Sequence, residues 1–464
     1  MPNNMTRRQF IKHSSALSAS VALALSGCGG KNETQTVSPP STPTPSTGNK
    51  ALVYLILGGG NDSFNMLVPT NDSSYSAYQQ SRSNLALDKK TLLPLEGFSD
   101  AQNQTFGLHP SMPEVQKLFD DKKLAFIANI APLVEPTNKA DFLANRAKLP
   151  LGLLSHADQF RHWQTSLPNQ RTNMGWFGKM ADSMQPNRSK EQISMNISLG
   201  GTNILQLGEQ SKEYSITQNG SVGLIINEEQ SALNKEIFKS FNTLLNRQYS
   251  NAFDKTYIDT TLEAQAQHET FTNATQGVNI KTPFSNTQLS QEFKMVAKSI
   301  VASNNLNTPQ QTFFLHYYGW DHHDELLNNH AKMLKVVSQA LGEFDKALSE
   351  LGIQEQVITF VGSDFGRTLG SNGNGTDHGW GGNVMVMGQG VKGGQVYGEY
   401  PTLALNSELD VGGGVLIPTT STDEMFAELA LWFGVQKQNL PNILPNIEQF
   451  YSLKSSSAPI GFIG

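Results

Sequence analysis

Four apolar runs frame this chain. Residues 51–57, 123–130, 312–318 and 356–361 are near-continuous stretches of aliphatic, β-branched and aromatic residues, the pattern of strands buried on both faces of a sheet. The first, third and fourth each stop at glycine, and an aspartate follows within a few positions (Asp62, Asp321, Asp364). Between the last two runs, Leu327, Ala331, Leu334, Val337, Leu341, Phe344, Leu348 and Leu351 recur every three or four residues and end at Gly352. That spacing predicts one long amphipathic helix whose first turn presents Asp321, His322, His323 and Asp324. A helix over 112–120, capped by Ser111, precedes the second run and gives a βαβ-like order. Residues 384–388 read as a further short strand, and 423–433 as a terminal helix capped by Ser421 or Thr422. Residues 70–106 read as a polar surface excursion. Residues 228–267 and 289–303 carry helical patterns rich in Asn, Gln and Thr, which predicts a mainly helical insertion over 186–300. The whole is α/β, with a mostly parallel sheet that offers ligands at the carboxyl ends of its strands.

Composition adds a soluble class and removes one partner. The 464 residues are 38% hydrophobic and 16% charged, with a formal charge of -6 and no basic block, so nucleic acid is not an expected ligand. The first residues stand apart from the fold. Arg7 and Arg8 open a twin-arginine export signal, the apolar run at 16–25 is too short for a permanent span, and Leu25-Ser26-Gly27-Cys28 is similar to a lipoprotein cleavage box. Cys28 is the only cysteine, so the mature chain can form no internal disulfide. These features predict a signal peptide over 1–27, a lipidated Cys28 with a Ser/Thr/Pro linker over 28–49, and a domain over 50–464. The implied partners are the twin-arginine translocase and the lipoprotein-processing machinery. The implied location is the periplasmic side of the envelope, anchored by acyl chains, with Gly29 pointing to the outer membrane.

The candidate chemistry is crowded into one segment. Five of the ten histidines (His316, His322, His323, His330, His378) fall within residues 312–382. Asp62, Asp321, His323, Asp364 and His378 lie at or just beyond strand ends, so one sheet edge can gather them. Carboxylates and imidazoles without thiolates favour a divalent Zn, Mn, Mg or Ca ion, and one or two such ions could activate a hydrolytic nucleophile. Arg367 could hold an anion bidentately. Ser155 opens a helix, which suits either a nucleophile or a simple cap; Arg161 and His162 are further candidates to contact an anion. His330, on the edge of the helical stripe, reads as a packed core histidine. Gly58, Gly59 and Gly60 follow a strand without G-x-G-x-x-G spacing or a P-loop lysine, which argues against a nucleotide site.

The set G-G-G-N-D-S-F-N (58–65), L-S-H-A-D-Q-F (154–160), G-W-D-H-H (319–323), S-D-F-G-R-T (363–368), T-D-H-G-W-G-G (376–382), V-K-G-G-Q-V-Y-G (391–398) and I-P-T-T-S-T-D-E (417–424) resembles the bacterial family called domain of unknown function 1501. That family is similar in turn to the alkaline phosphatase and sulfatase superfamily. The wider resemblance implies a three-layer α/β/α sandwich with a two-metal site, in which Asp62 and Asp364 match one metal's carboxylates, Asp321 and His378 match ligands of the other, and Ser155 falls near the nucleophile. The chain departs from that pattern where Phe365 follows Asp364, where Glu325 replaces a histidine four residues beyond Asp321, and where Ser155 is followed by His156. Two functions are therefore expected: a metal-dependent hydrolase of phosphate or sulfate esters, or a non-catalytic envelope protein that keeps the fold to bind a polymer.

Overall fold

The computed structural model describes residues 48–185, 189, 192–223 and 231–464. Cys28, Arg7 and Arg8 lie outside the described residues, and no described helix is long and apolar enough to cross a membrane. The main sheet is built from β1 (Lys50–Gly58), β2 (Leu124–Ala131), β3 (Asn196–Ser198), β4 (Tyr214–Ser215), β5 (Gln310–Tyr318), β6 (Val357–Ser363), β7 (Gly382–Met387), β8 (Val396–Tyr397) and β9 (Thr420–Ser421). Its order is β8-β2-β7-β6-β1-β5-β3-β4, with β9 also on β2. All pairings are parallel except those of β7, which runs antiparallel to both β6 and β2.

Alternation along β1 shows why the runs are continuous. Val53, Leu55 and Leu57 enter one core, Leu52, Tyr54 and Ile56 the other. The first core takes α1 (Pro113–Asp120), α5 (Gln288–Val301) and α6 (Leu326–Leu351) through residues such as Phe119, Phe293 and Phe344; the second takes α2 (His156–Thr165), α3 (Trp176–Met184) and α7 (Thr422–Phe433) through Trp163, Trp176 and Phe426. Every central strand is thus covered twice, which makes a three-layer α/β/α sandwich. Register aligns the strand ends: Gly58 of β1 stands opposite Tyr318 of β5, and Leu57 opposite Ser363 of β6. Three loops must therefore leave the sheet side by side.

The insertion is less helical than its composition predicts. Asn196–Ser198 pairs in parallel with β5 and Tyr214–Ser215 extends that edge; strands of three and two residues are too short to leave a periodic signal. Among the described residues, 222–223 and 231–270 group into a compact unit that contains Ala232–Leu245 and most of α4 (Ala252–Thr275). The excursion at 70–106 holds the helix Asp72–Arg82 and the buried Arg82. Met112, not Ser111, occupies the cap of α1, and the Ser111 amide donates to His109 Nδ1 at 3.0 Å. The long helix starts only at Leu326, after Glu325 in a left-handed conformation (φ 48). Asp321 to Asp324 are consequently loop residues: the amides of Gly319 and Trp320 both donate to the Gly58 carbonyl at 3.1 Å, which holds the chain over the sheet edge before it can coil.

Ser421 caps α7 in a full capping box with Glu424. The next residue but one, Asp423, is wholly buried and accepts from Ser166 Oγ at 2.8 Å. Burial pushes its carboxyl up from 3.8 to about 7, against the pull of Ser166 and Ser421. Because the folded value lies above the unfolded one, this contribution is complete near pH 4 and is lost as pH rises through 7. Unfolding free energy should fall by up to ~4 kcal/mol from this group between those limits, and Asp423→Asn should flatten the decline when urea midpoints are compared at pH 5 and pH 8. Glu292, also pushed up to about 7 by burial, adds a component of the same sign that the variant leaves in place.

Candidate metal centre

The loop after β1 lies close against its neighbours because two of its glycines carry no Cβ. A Cβ on Gly59 (φ +122) would sit 2.6 Å from the Asp321 amide nitrogen, and one on Gly60 (φ +83) 2.5 Å from the Phe365 ring. Glycine is required at both positions by conformation and by space. The Gly59 amide then faces Asp364, 3.1 Å from each carboxylate oxygen.

Three imidazoles surround Asp321. Its Oδ1 lies 3.4 Å from His156 Nε2, 3.0 Å from His323 Nε2 and 3.4 Å from His378 Nε2. Each ring is turned by a bond on its other nitrogen. His378 Nδ1–H donates to the Leu154 carbonyl at 2.7 Å, His156 Nδ1–H to Asp364 Oδ2 at 2.9 Å and His323 Nδ1–H to Asp377 Oδ1 at 3.2 Å. A carbonyl or carboxylate can only accept there, so a neutral ring keeps its lone pair on Nε2. His323 Nε2 and His378 Nε2 are 3.0 Å apart; beside a carboxylate, that separation is met either by a proton on one of the two nitrogens or by a metal ion that both ligate.

The donor set fits a metal. His156, Asp321 and His378 offer ligand atoms within 4.8 Å of one another, and donors bonded tetrahedrally at the ~2.0–2.1 Å typical of zinc would be ~3.4 Å apart. Carboxylate or carbonyl partners on the far nitrogens are the usual support of ligating histidines. The Asp364 bond raises the His156 pKa above 6.5 against the effect of burial, whereas burial lowers that of His378. Phe365 forms the apolar wall, its ring centroid 4.7 Å from those of both His156 and His378. Leu154, whose carbonyl orients His378, holds a left-handed φ of 70, a strained conformation for leucine.

The structure brings Asp321, His323, Asp364 and His378 together and adds His156, which sequence reasoning passed over as a departure beside Ser155. Asp364 acts on the centre through His156. Asp62 is elsewhere: its carboxylate is buried in an ion pair with Arg82, which also donates to the Thr368 carbonyl at 2.9 Å. Arg367 does not face solvent to receive an anion. Its side chain is fully buried and donates to the carbonyls of Gly60 (2.9 Å), Thr376 (3.0 Å), Gly59 (2.6 Å) and Trp320 (3.3 Å), and to Asp321. Ser155 is the N-cap of α2, half-buried, and its hydroxyl makes no capping bond. His162 is buried and donates from Nε2 to the Leu151 carbonyl at 2.7 Å, so it too is structural. His330 is a core residue, bonded through Nε2 to Asn61 at 2.8 Å.

The family profile described as "Protein of unknown function (DUF1501)" matches residues 49–440. The chain belongs to this family. No curated protein matches it. Among solved structures, this DUF1501 chain is similar to the PsFucS1 sulfatase from Pseudoalteromonas sp., with 12% identity, a TM-score of 0.32, 85% of this chain and 69% of that one covered. It is also similar to a mutant of the alkaline phosphatase PafA, with 8% identity, a TM-score of 0.26 and coverage of 69% and 63%. A third is the soluble domain of lipooligosaccharide phosphoethanolamine transferase A from Neisseria meningitidis, with 9% identity, a TM-score of 0.30 and coverage of 87% and 95%. At these scores the likeness carries no argument about activity.

Proposed function

We propose that this DUF1501 chain is an exported lipoprotein whose single metal centre hydrolyses phosphate or sulfate esters at the cell envelope. The export reading rests on Arg7, Arg8 and Cys28: the twin-arginine translocase carries the folded domain out, and lipidation of Cys28 anchors it on the periplasmic side, at the outer membrane. Cys28→Ser should move the protein from the membrane pellet to the soluble periplasmic fraction. Retention in the pellet at high salt would overturn the anchor.

The observation that carries the catalytic reading is the convergence of three Nε2 lone pairs on Asp321 Oδ1, each ring held by a partner on Nδ1. A Zn, Mn, Mg or Ca ion bound there supplies a Lewis acid for the ester oxygen and lowers the pKa of water. The chain's own groups do the rest. Asp321 balances the charge, Arg367 fixes Asp321 and the glycine loop, and Asp364 keeps His156 in the ligating tautomer. Ser155, at the positive end of α2 with its hydroxyl not spent on capping, is the protein nucleophile in this reading.

Purified mature protein should hold roughly one divalent ion per chain and turn over members of an aryl and alkyl phosphate and sulfate panel. Asp321→Ala and His378→Ala should both lose the ion and about a thousandfold in rate. Ser155→Ala should lose rate while keeping the ion. Wild-type turnover that survives in both ligand variants would overturn the metal reading. The second function, a binding protein without turnover, is favoured by Phe365 on the wall of the centre and by Arg367 being committed to carbonyls. Stoichiometric metal with no ester turned over would decide for it.

A further inference from the structure

A cleft leads away from the centre, and its floor is aromatic. One lobe, of about 470 Å³, is bounded by Gly59, His156, Asp321 and Asp364 and by Phe160 and Tyr318. A second lobe, of about 220 Å³, shares Phe160 and Tyr318 and continues to Arg161, Thr202 and Asn203. The first lobe lies within the ~300–1,000 Å³ of ligand pockets. Tyr318 is the last residue of β5, and 66% of it is exposed although the strand behind it is buried. Its ring and that of Phe160 are nearly parallel, 25° apart with centroids at 6.5 Å. One face of the Tyr318 ring packs against His316, and the rest of the ring is left open to the cleft.

The far rim is polar. Arg161 holds Nη1 on the Thr172 carbonyl at 3.0 Å and reaches Asn173 at 3.4 Å; its Nε and Nη2 have no partner among the described residues. Asn203 is fixed by bonds to Ser198 and Gln206. A flat apolar floor with a fixed polar rim matches a ring that has C–H groups on its face and oxygens at its edge. A planar aryl group would satisfy the floor and leave the rim unused.

We infer that the cleft over Tyr318 and Phe160 is a subsite for a pyranose ring, the alcohol half of the ester in the reading above, with Arg161 taking an anionic substituent at its far edge. The inference rests on that reading for the ring's role as leaving group, and on the cleft alone for binding.

Saturation-transfer NMR on the full mature chain tests it without metal or turnover, using methyl glucoside, methyl glucuronoside and p-nitrophenol as probes. Both glycosides should receive saturation at their axial C–H protons, the glucuronoside more strongly. Tyr318→Ala should reduce the transfer roughly fivefold, the size of one lost stacking contact, and Tyr318→Phe should retain it. Arg161→Gln should abolish the advantage of the glucuronoside. Transfer to p-nitrophenol alone, or glycoside signals unchanged in Tyr318→Ala, would overturn the assignment. A metal-free or inactive protein that still binds the glycosides in this manner would remove the hydrolase reading and leave the subsite.

Discussion

Arg367→Met should lower the unfolding free energy by about 3–5 kcal/mol, the cost of leaving two or three buried carbonyls unpaired at ~1–3 kcal/mol each, and should empty the metal centre. The guanidinium donates to the carbonyls of Gly59, Gly60, Trp320 and Thr376 while meeting the Asp321 carboxylate; of these, the Trp320 carbonyl also accepts from the His322 amide at 2.8 Å. These carbonyls come from the loops after β1 and β5 and from the short strand Thr376–His378, so methionine would leave buried acceptors unpaired where these segments meet. Asp321 is 46% exposed, so water screens its loss and the carbonyls account for most of the cost. Lysine cannot substitute, because an ammonium has three donors and no planar fork; Arg367→Lys should fall between methionine and wild type. Urea titration with metal analysis measures both effects. An arginine that instead held the ester's anion would, when replaced, raise KM and leave the urea midpoint where it was.

That contrast marks what the amino-acid order conveys and what it withholds. The central strands are legible because burial on both faces forces uninterrupted apolar runs, and α6 because its stripe spans seven turns and stops at a left-handed Gly352 (φ 67). The crowding of histidines around Asp321 and His378 is legible for a related reason, since strand ends in one register bring their loops together. The partner of a given charge is not. Asp62 and Asp364 both follow an apolar run that stops at glycine, yet one is paired with Arg82 in the interior and the other faces His156. Nothing local distinguishes them, because the distinction is made by Arg82, in a segment that reads as surface. His156 has no spacing signal either: it follows a serine that caps a helix, and only the docking of α2 against β6 turns its ring toward Asp321.

The tautomer of His156 makes the sharpest test of the centre. Asp364 accepts from Nδ1–H at 2.9 Å while the Gly59 amide holds it from the other side. Asparagine at this position has nearly the same shape but no charge. With its carbonyl on Nδ1–H it loses the pull that makes the His156 ring basic; with its NH2 on the ring it drives the proton onto Nε2, the nitrogen that faces Asp321, where a protonated nitrogen cannot ligate. Asp364→Asn should therefore weaken zinc binding by roughly 10–100-fold, read by calorimetric titration of metal-stripped protein. His156→Ala should weaken it further, because it deletes a ligand rather than misdirecting one. Asp377→Asn is the internal comparison. Asp377 supports His323 at 3.2 Å but its side chain is 65% exposed, so water can replace it and the loss should be smaller. If Asp364→Asn binds zinc as tightly as the wild type, His156 is not a ligand. The centre would then be limited to Asp321, His323 and His378 on the exposed side of the rim.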